Sequence, residues 1–366
     1  MEQNYLGIVV SPLLYRGIKR GKKLHSLAFY EEACFENDLI PCYFKLEDIH
    51  IGKDQMNAFV KIDEKYRKIS ISKPLVIHYR GYHYSKSAKT KIKSLQKEGI
   101  IFFNEWNRYG KFRVHSILAK NEDIKPHLPE TCIFNIENMF EMLDKYRELI
   151  IKPNRGSLGR NAFKITKLEK NKWVLHNPKN KLSKEEVFSK NLWPEILTTG
   201  LTAKYIIQQR IPLAEFQGNP FDIRVSVQKN GNGDWQVSGM VGKVAKSGNF
   251  VTNVARGGTC IPLNEILLNL QHLDENQVYE NIKRLSKLIA EQLGKNIPNL
   301  ADLGLDIGIT NEGFPMFIEC NARDLRYSFR NANLLAEWKS SYATPICYGK
   351  YLLNLKREHK NEDDPS

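Results

Sequence analysis

The sequence predicts an α/β fold of more than one domain, beginning with a small parallel domain. From residue 1 to about residue 105, short apolar runs alternate with helical segments, a rhythm typical of βαβ units. A second unit of strands and helices begins near residue 131, and longer strands with hairpin signals begin near residue 205. With 366 residues, the chain is long enough for two or three domains that each bury a core.

The first part is predicted to be a parallel sheet with crossover helices. Each apolar run has the length of a buried strand, and the segments between runs have helical periodicity. The predicted strands cover residues 6–10, 39–44, 75–78 and 101–103, and the predicted helices cover residues 24–37 and 87–97.

The later elements follow from the same kinds of pattern, with Pro126 and Pro129 ending one helical region. Helices are predicted at residues 111–120, 136–146, 184–189 and 275–293, and strands at residues 131–134, 149–152, 162–168, 206–209, 221–228 and 235–244. Residues 356–366 are highly polar, so we expect a disordered tail there.

The composition excludes several classes of protein. No apolar run approaches the roughly 18 residues needed to span a bilayer. The first residues lack the basic segment of a signal peptide, so we expect a cytoplasmic protein. The six cysteines are scattered, with no Cys-x-x-Cys pair and no histidine at zinc spacing. Buried thiols are therefore expected, and neither zinc nor a disulfide framework is.

The net charge of +14 is concentrated near the start of the chain. Residues 1–115 hold 21 Lys and Arg against 12 Asp and Glu. Two clusters account for much of this excess: Arg16, Lys19, Arg20, Lys22 and Lys23 in a predicted loop, and Lys86, Lys89, Lys91, Lys93 and Lys97 on a predicted helix. Such clusters are usually solvated faces, and the alternative is a surface that steers an anionic substrate or partner. They lack interleaved aromatic residues and the chain has no nucleic-acid motif, which argues against nucleic acid.

The most informative stretch is residues 306–321, which predicts two adjacent strands with acidic residues on one face. The second of these strands covers residues 314–321. In the second strand, a period of two places Glu319 and Asn321 on the same face. The preceding strand is joined to it by a turn-forming segment. If Ile309 pairs with Phe314 across that turn, Asp306 lies on the face of Glu319 as well.

These three side chains predict a magnesium site. Carboxylate and amide oxygens without imidazole or thiolate favour Mg²⁺, with Mn²⁺ as the alternative ion. The glycines Gly304 and Gly308 flank Asp306 in the same strand and are expected to leave that face open to a bulky ligand. The alternative interpretation is an edge hairpin with solvated acids.

A second candidate element is the segment from Lys152 to Gly159, which lies between two predicted strands. Gly156, Ser157 and Gly159 can expose backbone N–H groups to a phosphate, and Lys152 adds a positive charge. The order of residues is not that of a Walker loop. An ordinary Gly/Ser hairpin loop is the alternative.

Further basic residues lie in the third part of the chain. Asp222 and Arg224 are two residues apart on one predicted strand, either as a surface ion pair or with Arg224 as a clamp for a phosphoryl group. The segment from Lys243 to Gly258 includes Asn253 and Arg256, and its glycines and cations fit a loop that closes over phosphates.

Taken together, these segments resemble the ATP-grasp superfamily over roughly residues 104–327. The matching features are Lys111 at a helix start, Leu128-Pro-Glu-Thr131, Lys152 with its Gly-Ser-x-Gly loop, Gln208-Gln209, Asp222-x-Arg224, Asn253-x-x-Arg256-Gly-Gly, and Asp306 with Glu319-x-Asn321. Within this region, residues 102–104, 111–118 and 235–239 are similar to the spore-coat-associated YheC/YheD group.

The resemblance implies an ATP-grasp fold, in which two α+β lobes clasp ATP, preceded by a small parallel α/β domain. The implied divisions are a basic preATP-grasp-like domain (residues 1–110), a central lobe (111–204), a C-terminal lobe with the metal site (205–355) and the tail (356–366).

The resemblance also implies an ATP- and Mg²⁺-dependent ligase that joins a carboxylate to an amine through an acyl phosphate. The catalytic cations would be Lys152, Arg224 and Arg256. The nucleotide-binding residues would be Lys111, Lys152, Gly156, Ser157, Gly159, Gln209, Arg210, Asp222 and Asn253. The metal ligands would be Asp306, Glu319 and Asn321. The substrates would be a small-molecule or peptide carboxylate and an amine, and the basic first domain favours an anionic one.

One departure from the superfamily pattern follows Asn321, where Arg323 and Arg326 replace a small residue and Pro-Gly. These arginines either hold an anionic substrate or pack the following helix. Two other functions stay open: a phosphotransferase on the same scaffold, and a non-catalytic spore-associated protein.

Overall fold

The computed structural model shows three six-stranded sheets, with helices between their strands, in the part of the chain that it describes. The described residues are 4–22, 24–81, 85–106, 108–156, 161–169, 171–176, 185–189, 192–249, 252–254, 257–321 and 323–362. The sheets follow one another along the chain.

The first sheet has the parallel core that the sequence predicted. Its strands are β1 (Tyr5–Val9), β2 (Ile40–Phe44), β3 (Gln55–Ile62), β4 (Lys65–Ser72), β5 (Val76–Tyr79) and β6 (Ile101–Phe103), in the order β4-β3-β2-β1-β5-β6. Helices α1 (Pro12–Lys19), α2 (His25–Glu36) and α3 (Lys86–Lys97) connect the parallel strands β1, β2, β5 and β6. Apolar clusters cover both faces, as expected for parallel strands.

The antiparallel pair of β3 and β4 was not predicted. Its tight turn uses Asp63 and Glu64, whose φ angles of 46° and 61° are left-handed. Turns of this kind are normally signalled by glycine or asparagine. The two acidic residues therefore gave no hairpin signal.

The second sheet is antiparallel throughout. Its strands are β7 (Thr131–Ile133), β8 (Glu148–Pro153), β9 (Phe163–Glu169), β10 (Lys172–His176), β11 (Glu185–Ser189) and β12 (Tyr205–Gln209), in the order β11-β10-β9-β8-β12-β7. The helices in this stretch are α4 (Lys111–Leu118), α5 (Ile136–Lys145) and α6 (Glu195–Thr198). The predicted helix at residues 184–189 was wrong, because β11 pairs with β10 and buries Phe188.

The third sheet carries the predicted hairpin. Its strands are β13 (Glu215–Phe216), β14 (Asn219–Lys229), β15 (Trp235–Val244), β16 (Thr259–Ile261), β17 (Asp302–Ile309) and β18 (Pro315–Asn321). The order is β16-β15-β14-β17-β18, and β13 pairs with β14. The helices of this part are α7 (Leu263–Asn269), α8 (Glu275–Asn296), α9 (Tyr327–Asn331) and α10 (Leu335–Glu362).

The central strands of this sheet have one apolar and one polar face. Ile223 and Val225 of β14 share a buried core with Leu303 and Leu305 of β17, and α8 packs on this core. Because side chains alternate along a strand, the residues between them point to the opposite face. That opposite face carries the candidate site.

Two helices pack across the predicted domain divisions. Val114 and Leu118 of α4 belong to the core of the third sheet, although the sequence assigned this helix to the central lobe. Tyr342 and Ile346 of α10 join the core of the first sheet, where α10 packs on α2. The divisions at residues 110, 204 and 355 therefore stay predictions.

The end of the chain differs from the predicted disorder. Helix α10 extends to Glu362, so residues 356–362 are helical, and residues 363–366 lie outside the described part. Lys356 donates to the backbone oxygen of Gly99, and Arg357 lies 2.5 Å from Asn4 Oδ1. These contacts with the first domain hold a polar helix that the composition alone suggested would not fold. Among the described residues, no helix is both long and apolar enough to cross a membrane.

Candidate functional site

The three residues predicted to bind a metal meet on the hairpin of β17 and β18. Asp306 is the direct cross-strand partner of Glu319. The Nδ2 atom of Asn321 lies 3.3 Å from Oδ2 of Asp306. The two carboxylates and the amide therefore share one side of the third sheet.

A register shift in this hairpin brings Asp306 to the correct face. Ile309 pairs with Pro315 and not with Phe314, and that register alone would turn Asp306 away from Glu319. The pairing shifts by one residue directly after Asp306, and this restores the shared face. Bulges of this kind commonly re-aim side chains next to functional sites. The predicted register was wrong, but the predicted neighbourhood is present.

The glycines beside Asp306 make room for protein and not for a ligand. A Cβ atom on Gly304 would lie 2.8 Å from Oδ1 of Asp324, and one on Gly308 would lie 2.2 Å from Cδ2 of Leu213. The expectation that these glycines leave the face open was therefore wrong.

Arg224 forms a two-pronged ion pair with Asp306. Its Nε atom is 2.8 Å from Oδ1 and its Nη2 atom is 3.3 Å from Oδ2 of Asp306, while Nη1 is 3.2 Å from Oδ1 of Asp324. Burial acts to raise the pKa of Asp306, but Arg224 and Lys243 outweigh burial and lower that pKa. Asp306 is therefore ionised at neutral pH.

Lys243 is a site residue whose position sequence reasoning missed. Its Nζ atom lies 2.8 Å from Oδ1 of Asp222 and 2.9 Å from Oδ1 of Asp306, so one ammonium bridges two carboxylates. Burial acts to lower the pKa of Lys243, but the two aspartates outweigh burial and raise it. Thr252 also donates to Oδ2 of Asp222. The available signal was a lysine within the apolar run of β15, where it faces Asp222 across the strand pair.

Lys111 and Lys152 approach the acids from α4 and from β8 of the second sheet. Lys111 begins α4, and its Nζ atom lies 3.3 Å from Oε1 of Glu319 and 2.9 Å from the backbone oxygen of Gly156. Lys152 lies on β8, where burial lowers its pKa to about 8, with Lys111 acting in the same direction and Glu319 against it. Both predicted lysines are therefore at the site.

Gln209 and Arg210, two of the residues that the resemblance assigns to nucleotide binding, have partners within the protein. Gln209 exchanges hydrogen bonds with the backbone of Glu130, since its N–H donates to the carbonyl oxygen and its Oε1 accepts from the amide. Arg210 is ion-paired with Glu148 of β8. Both residues border the same cavity as Asp222 and Asn253.

One cavity between the second and third sheets collects most of these groups. Its lining residues are Ile150, Lys152, Ala162, Gln208, Gln209, Arg210, Ile211, Leu213, Asp222, Lys243, Thr252, Asn253, Asp306, Ile318 and Glu319. An adjoining cavity is bordered by Lys111 and shares Lys152 and Glu319 with the first. Arg224 lies behind Asp306. The predicted residues Ser157, Gly159 and Arg256 lie outside the described part of the chain.

The donor set fits a hard divalent cation. In the described part of the chain, no group of three or more His, Cys, Asp and Glu side chains could hold a metal alone. Asp306 and Glu319 supply two carboxylates, and Asn321 supplies an amide. Mg²⁺ suits such a set, because it normally takes one or two carboxylates and completes its shell with water and phosphate oxygens. Imidazole-rich or thiolate-rich chemistry has no support at this position.

The chain has the ATP-grasp fold, as the family match given below shows, and two solved structures share that fold. D-cycloserine synthetase DcsG superposes with a TM-score of 0.51 at 9% identity, over 93% of this chain and 99% of that chain. The VanG D-Ala:D-Ser ligase from Enterococcus faecalis superposes with a TM-score of 0.50 at 11% identity, over 96% and 100% of the two chains. At these identities the likeness concerns the fold alone.

Within that class, the chain belongs to the YheC/D-like ATP-grasp family, which matches residues 99–352. The endospore coat-associated protein YheD of Bacillus subtilis is 30% identical over 240 residues, which are 64% of this chain and 51% of YheD. The endospore coat-associated protein YheC of the same organism is 23% identical over 279 residues, 74% of this chain and 75% of YheC. The match thus spans about half the length of YheD. The resemblance inferred from the motifs is confirmed.

Proposed function

We propose that this protein is an ATP- and Mg²⁺-dependent ligase that joins a carboxylate to an amine. The observation that carries the proposal is the convergence of Lys152, Lys243, Asp222, Asp306 and Glu319 on one cavity between two sheets. Phosphoryl transfer requires positively charged side chains that the protein already holds in place, because negative charge builds up on the transferred group. A fold shared with named ligases supports the same reaction class.

Each charged residue has a part in the proposal. Lys111 of α4 and Lys152 of β8 would bind phosphate oxygens of ATP. Arg224, which lies behind Asp306, together with Arg256 would act on the transferred phosphoryl group. Asp306, Glu319 and Asn321 would hold Mg²⁺, with Mn²⁺ as the alternative ion. When bound, the ion would neutralise charge on the phosphates of ATP.

The remaining residues orient the nucleotide. Gln209 at the end of β12 and Arg210 directly after it border the cavity, where they would contact the adenine ring. Asp222 would lie near the ribose of ATP or near the metal ion, and Asn253 borders the same cavity. Gly156 would contribute a backbone amide to the phosphates, and the sequence assigns the same part to Ser157 and Gly159.

The chemistry proceeds in two balanced steps. A carboxylate oxygen of the first substrate attacks the terminal phosphorus of ATP, the bond from that phosphorus to the bridging oxygen breaks, and ADP leaves. The amine nitrogen of the second substrate then attacks the carbonyl carbon of the acyl phosphate. The carbon–oxygen bond to phosphate breaks, and amide, phosphate and one proton are released. The substrates are small-molecule or peptide acids and amines, and the basic first domain favours an anionic one.

A non-catalytic role associated with the spore is the second candidate. The observation in its favour is that the two relatives from Bacillus subtilis are named endospore coat-associated proteins. In that case the charged cavity would neither bind nor turn over a nucleotide. A cytoplasmic location and a spore-associated one are both proposals for this chain.

Thermal unfolding with MgATP tests the nucleotide site directly. At a ligand concentration about 100 times Kd, binding adds roughly 2.7 kcal/mol to the free energy of unfolding, which is a shift of a few degrees. We expect that shift in the wild type with Mg²⁺ present, and we expect Glu319→Ala to abolish it because a metal ligand is removed.

A matched control uses the exposed acid in the turn of the same hairpin. Glu312→Ala should keep the full shift, because Glu312 lies outside the cavity. A full shift in Glu319→Ala would contradict the metal assignment, and no shift in the wild type would favour the non-catalytic role. If the wild type shows the shift, carboxylates and amines are screened by ADP release. The mass of the product then distinguishes a ligase, which forms an amide, from a phosphotransferase, which leaves a phosphorylated product.

A further inference from the structure

Asp324 is a fully buried carboxylate just beyond the predicted metal ligands. Its Oδ1 atom accepts from Nη1 of Arg224 at 3.2 Å, and its other oxygen accepts from the hydroxyl of Ser226. Arg224 and Ser226 are alternate residues of β14 and therefore lie on the same face of the sheet. Asp324 thus contacts the third sheet on the face that carries the site.

Arg224 is held from two sides. Asp306 accepts hydrogen bonds from Nε and Nη2 on the side of the cavity, and Asp324 accepts one from Nη1 on the opposite side. A guanidinium is planar, so acceptors on both edges fix its plane as well as its position. Without Asp324, only the pair with Asp306 would set the orientation of Arg224.

Asp324 is itself held by groups outside β14. Its backbone oxygen accepts from Nη2 of Arg80 at 2.5 Å, and Arg80 belongs to the first domain directly after β5. Its Oδ1 also accepts from the backbone N–H of Arg326 at 3.3 Å. The absence of a side chain on Gly304 lets the carboxylate pack against β17. The carboxylate therefore has a single arrangement, supported by the first domain.

We infer that Asp324 is a positioning residue that fixes Arg224 in its pair with Asp306, at the position from which Arg224 would act on the terminal phosphoryl group of ATP. The inference rests on the proposed function, because it assigns Arg224 to that phosphoryl group. Arg323 and Arg326, considered in the sequence as anion-binding residues, flank this carboxylate. Arg326 is instead buried against Asp302 and Tyr30.

The test compares two nucleotides that differ by the group Arg224 would contact. Calorimetry gives the Kd of MgADP and of the Mg²⁺ complex of a non-hydrolysable ATP analogue, for the wild type and for Asp324→Asn. We expect the wild type to prefer the triphosphate and the preference to fall about tenfold in Asp324→Asn, the scale of one charged hydrogen bond. The Kd of MgADP should change by less than about twofold. A general loss of fold would weaken the binding of both nucleotides.

Asp302→Asn is the matched control. Asp302 is equally buried and is ion-paired with Arg80 and Arg326, yet it contacts neither Asp306 nor Arg224 through any described hydrogen bond. It should lower stability and keep the nucleotide preference. In an Arg224→Gln background, Asp324→Asn should add no further loss, because its effect passes through Arg224.

The outcomes separate this inference from the proposed function. If the wild type binds neither nucleotide, both are overturned. If the wild type prefers the triphosphate and Asp324→Asn keeps that preference, or if Asp302→Asn loses it equally, only the positioning role is overturned. Should Asp324→Asn not fold, Ser226→Ala loosens the other carboxylate oxygen. A partial loss of preference in Ser226→Ala then supports the inference, and an unchanged preference overturns it.

Discussion

At the residue scale, the site balances its own buried charge. Asp222 and Asp306 lie within 2.9 Å of the ammonium of Lys243, and Glu319 lies 3.3 Å from that of Lys111. Buried charges are tolerated only when they are paired and hydrogen-bonded. The same cations are the groups that a nucleotide would meet, so pairing in the protein and phosphate binding would draw on one set of side chains.

Replacing the bridging cation should be strongly destabilising. In Lys243→Met, two buried carboxylates face each other without the ammonium between them. Breaking a buried ion pair from one side costs about 3–5 kcal/mol, because the remaining charge is uncompensated. We expect urea unfolding to report a loss of that size in the free energy of unfolding.

The double variant Lys243→Met with Asp222→Asn should recover part of this loss, since one of the two carboxylates is removed with its partner. Lys246→Met is the control, because Lys246 is exposed two residues beyond the strand. A loss below about 1 kcal/mol in Lys243→Met would mean that the bridge does not hold the site together.

The neighbourhood of the three residues proposed to bind a metal could be predicted from the sequence, but the position of Lys243 could not. Glu319 and Asn321 follow from alternation within one strand, and Asp306 is close to them in the chain. Lys243 meets Asp222 only through the pairing of two long strands, and Asp306 only through a third strand. That register is a non-local property, so no local pattern placed the lysine between them.

At the element scale, the prediction of strands failed where a strand forms only by pairing with another strand. The segment 185–189 is too short for its periodicity to separate helix from strand, and β10 decides the outcome by pairing with it. The hairpin of β17 and β18 was predicted because its turn is flanked by regular alternation. Its register shift was not, since a bulge leaves no signal in this sequence.

The polar face of β17 depends on a glycine that has no side chain to interfere with packing. In Gly304→Ala, the new Cβ would lie 2.8 Å from Oδ1 of Asp324, which is itself held by Arg224 and Ser226. Overpacking of this kind costs about 1–3 kcal/mol, and chemical denaturation should show that loss. Gly231→Ala is the control, because its nearest neighbour would be 3.5 Å away. Equal stability of the two variants would contradict the close fit of Asp324 on β17.

At the scale of the whole molecule, a buried charged network joins the first sheet to the third sheet. Asp302 of β17 is paired with Arg80 at 2.7 Å and with Arg326 at 2.5 Å, and its backbone oxygen accepts from Asn104. His78 of β5 lies in the same network, with Nε2 at 3.3 Å from Oδ2 of Asp302. The sequence predicted the separate parts, but none of these contacts is local. The joining of the parts therefore came only from the structure.

This network makes the stability of the molecule sensitive to acid. His78 is fully buried and stacked on Phe103, and burial lowers its pKa to about 4, with Asp302 opposing the shift. The ordinary pKa of histidine is about 6.5, so between pH 6.5 and 4 the unfolded chain binds a proton that the folded protein does not. Stability must then fall as pH falls through that window. The lowered pKa of Asp302 adds a loss only at still lower pH.

Removing this one titrating group should reduce the acid response. We expect His78 to account for about 3 kcal/mol of the stability lost from pH 7 to pH 4, because the unfolded chain binds one more proton than the folded protein between the two pKa values. We expect His78→Gln to be less stable than the wild type at pH 7, because a packed ring is lost, but to lose about 3 kcal/mol less on acidification. Urea unfolding at pH 4, 5, 6 and 7 measures both effects. His50→Gln, at an exposed position of the same domain, should retain the wild-type slope. A wild-type slope in His78→Gln would assign the acid sensitivity to other groups and remove His78 from the account of how the first domain is held to the third sheet.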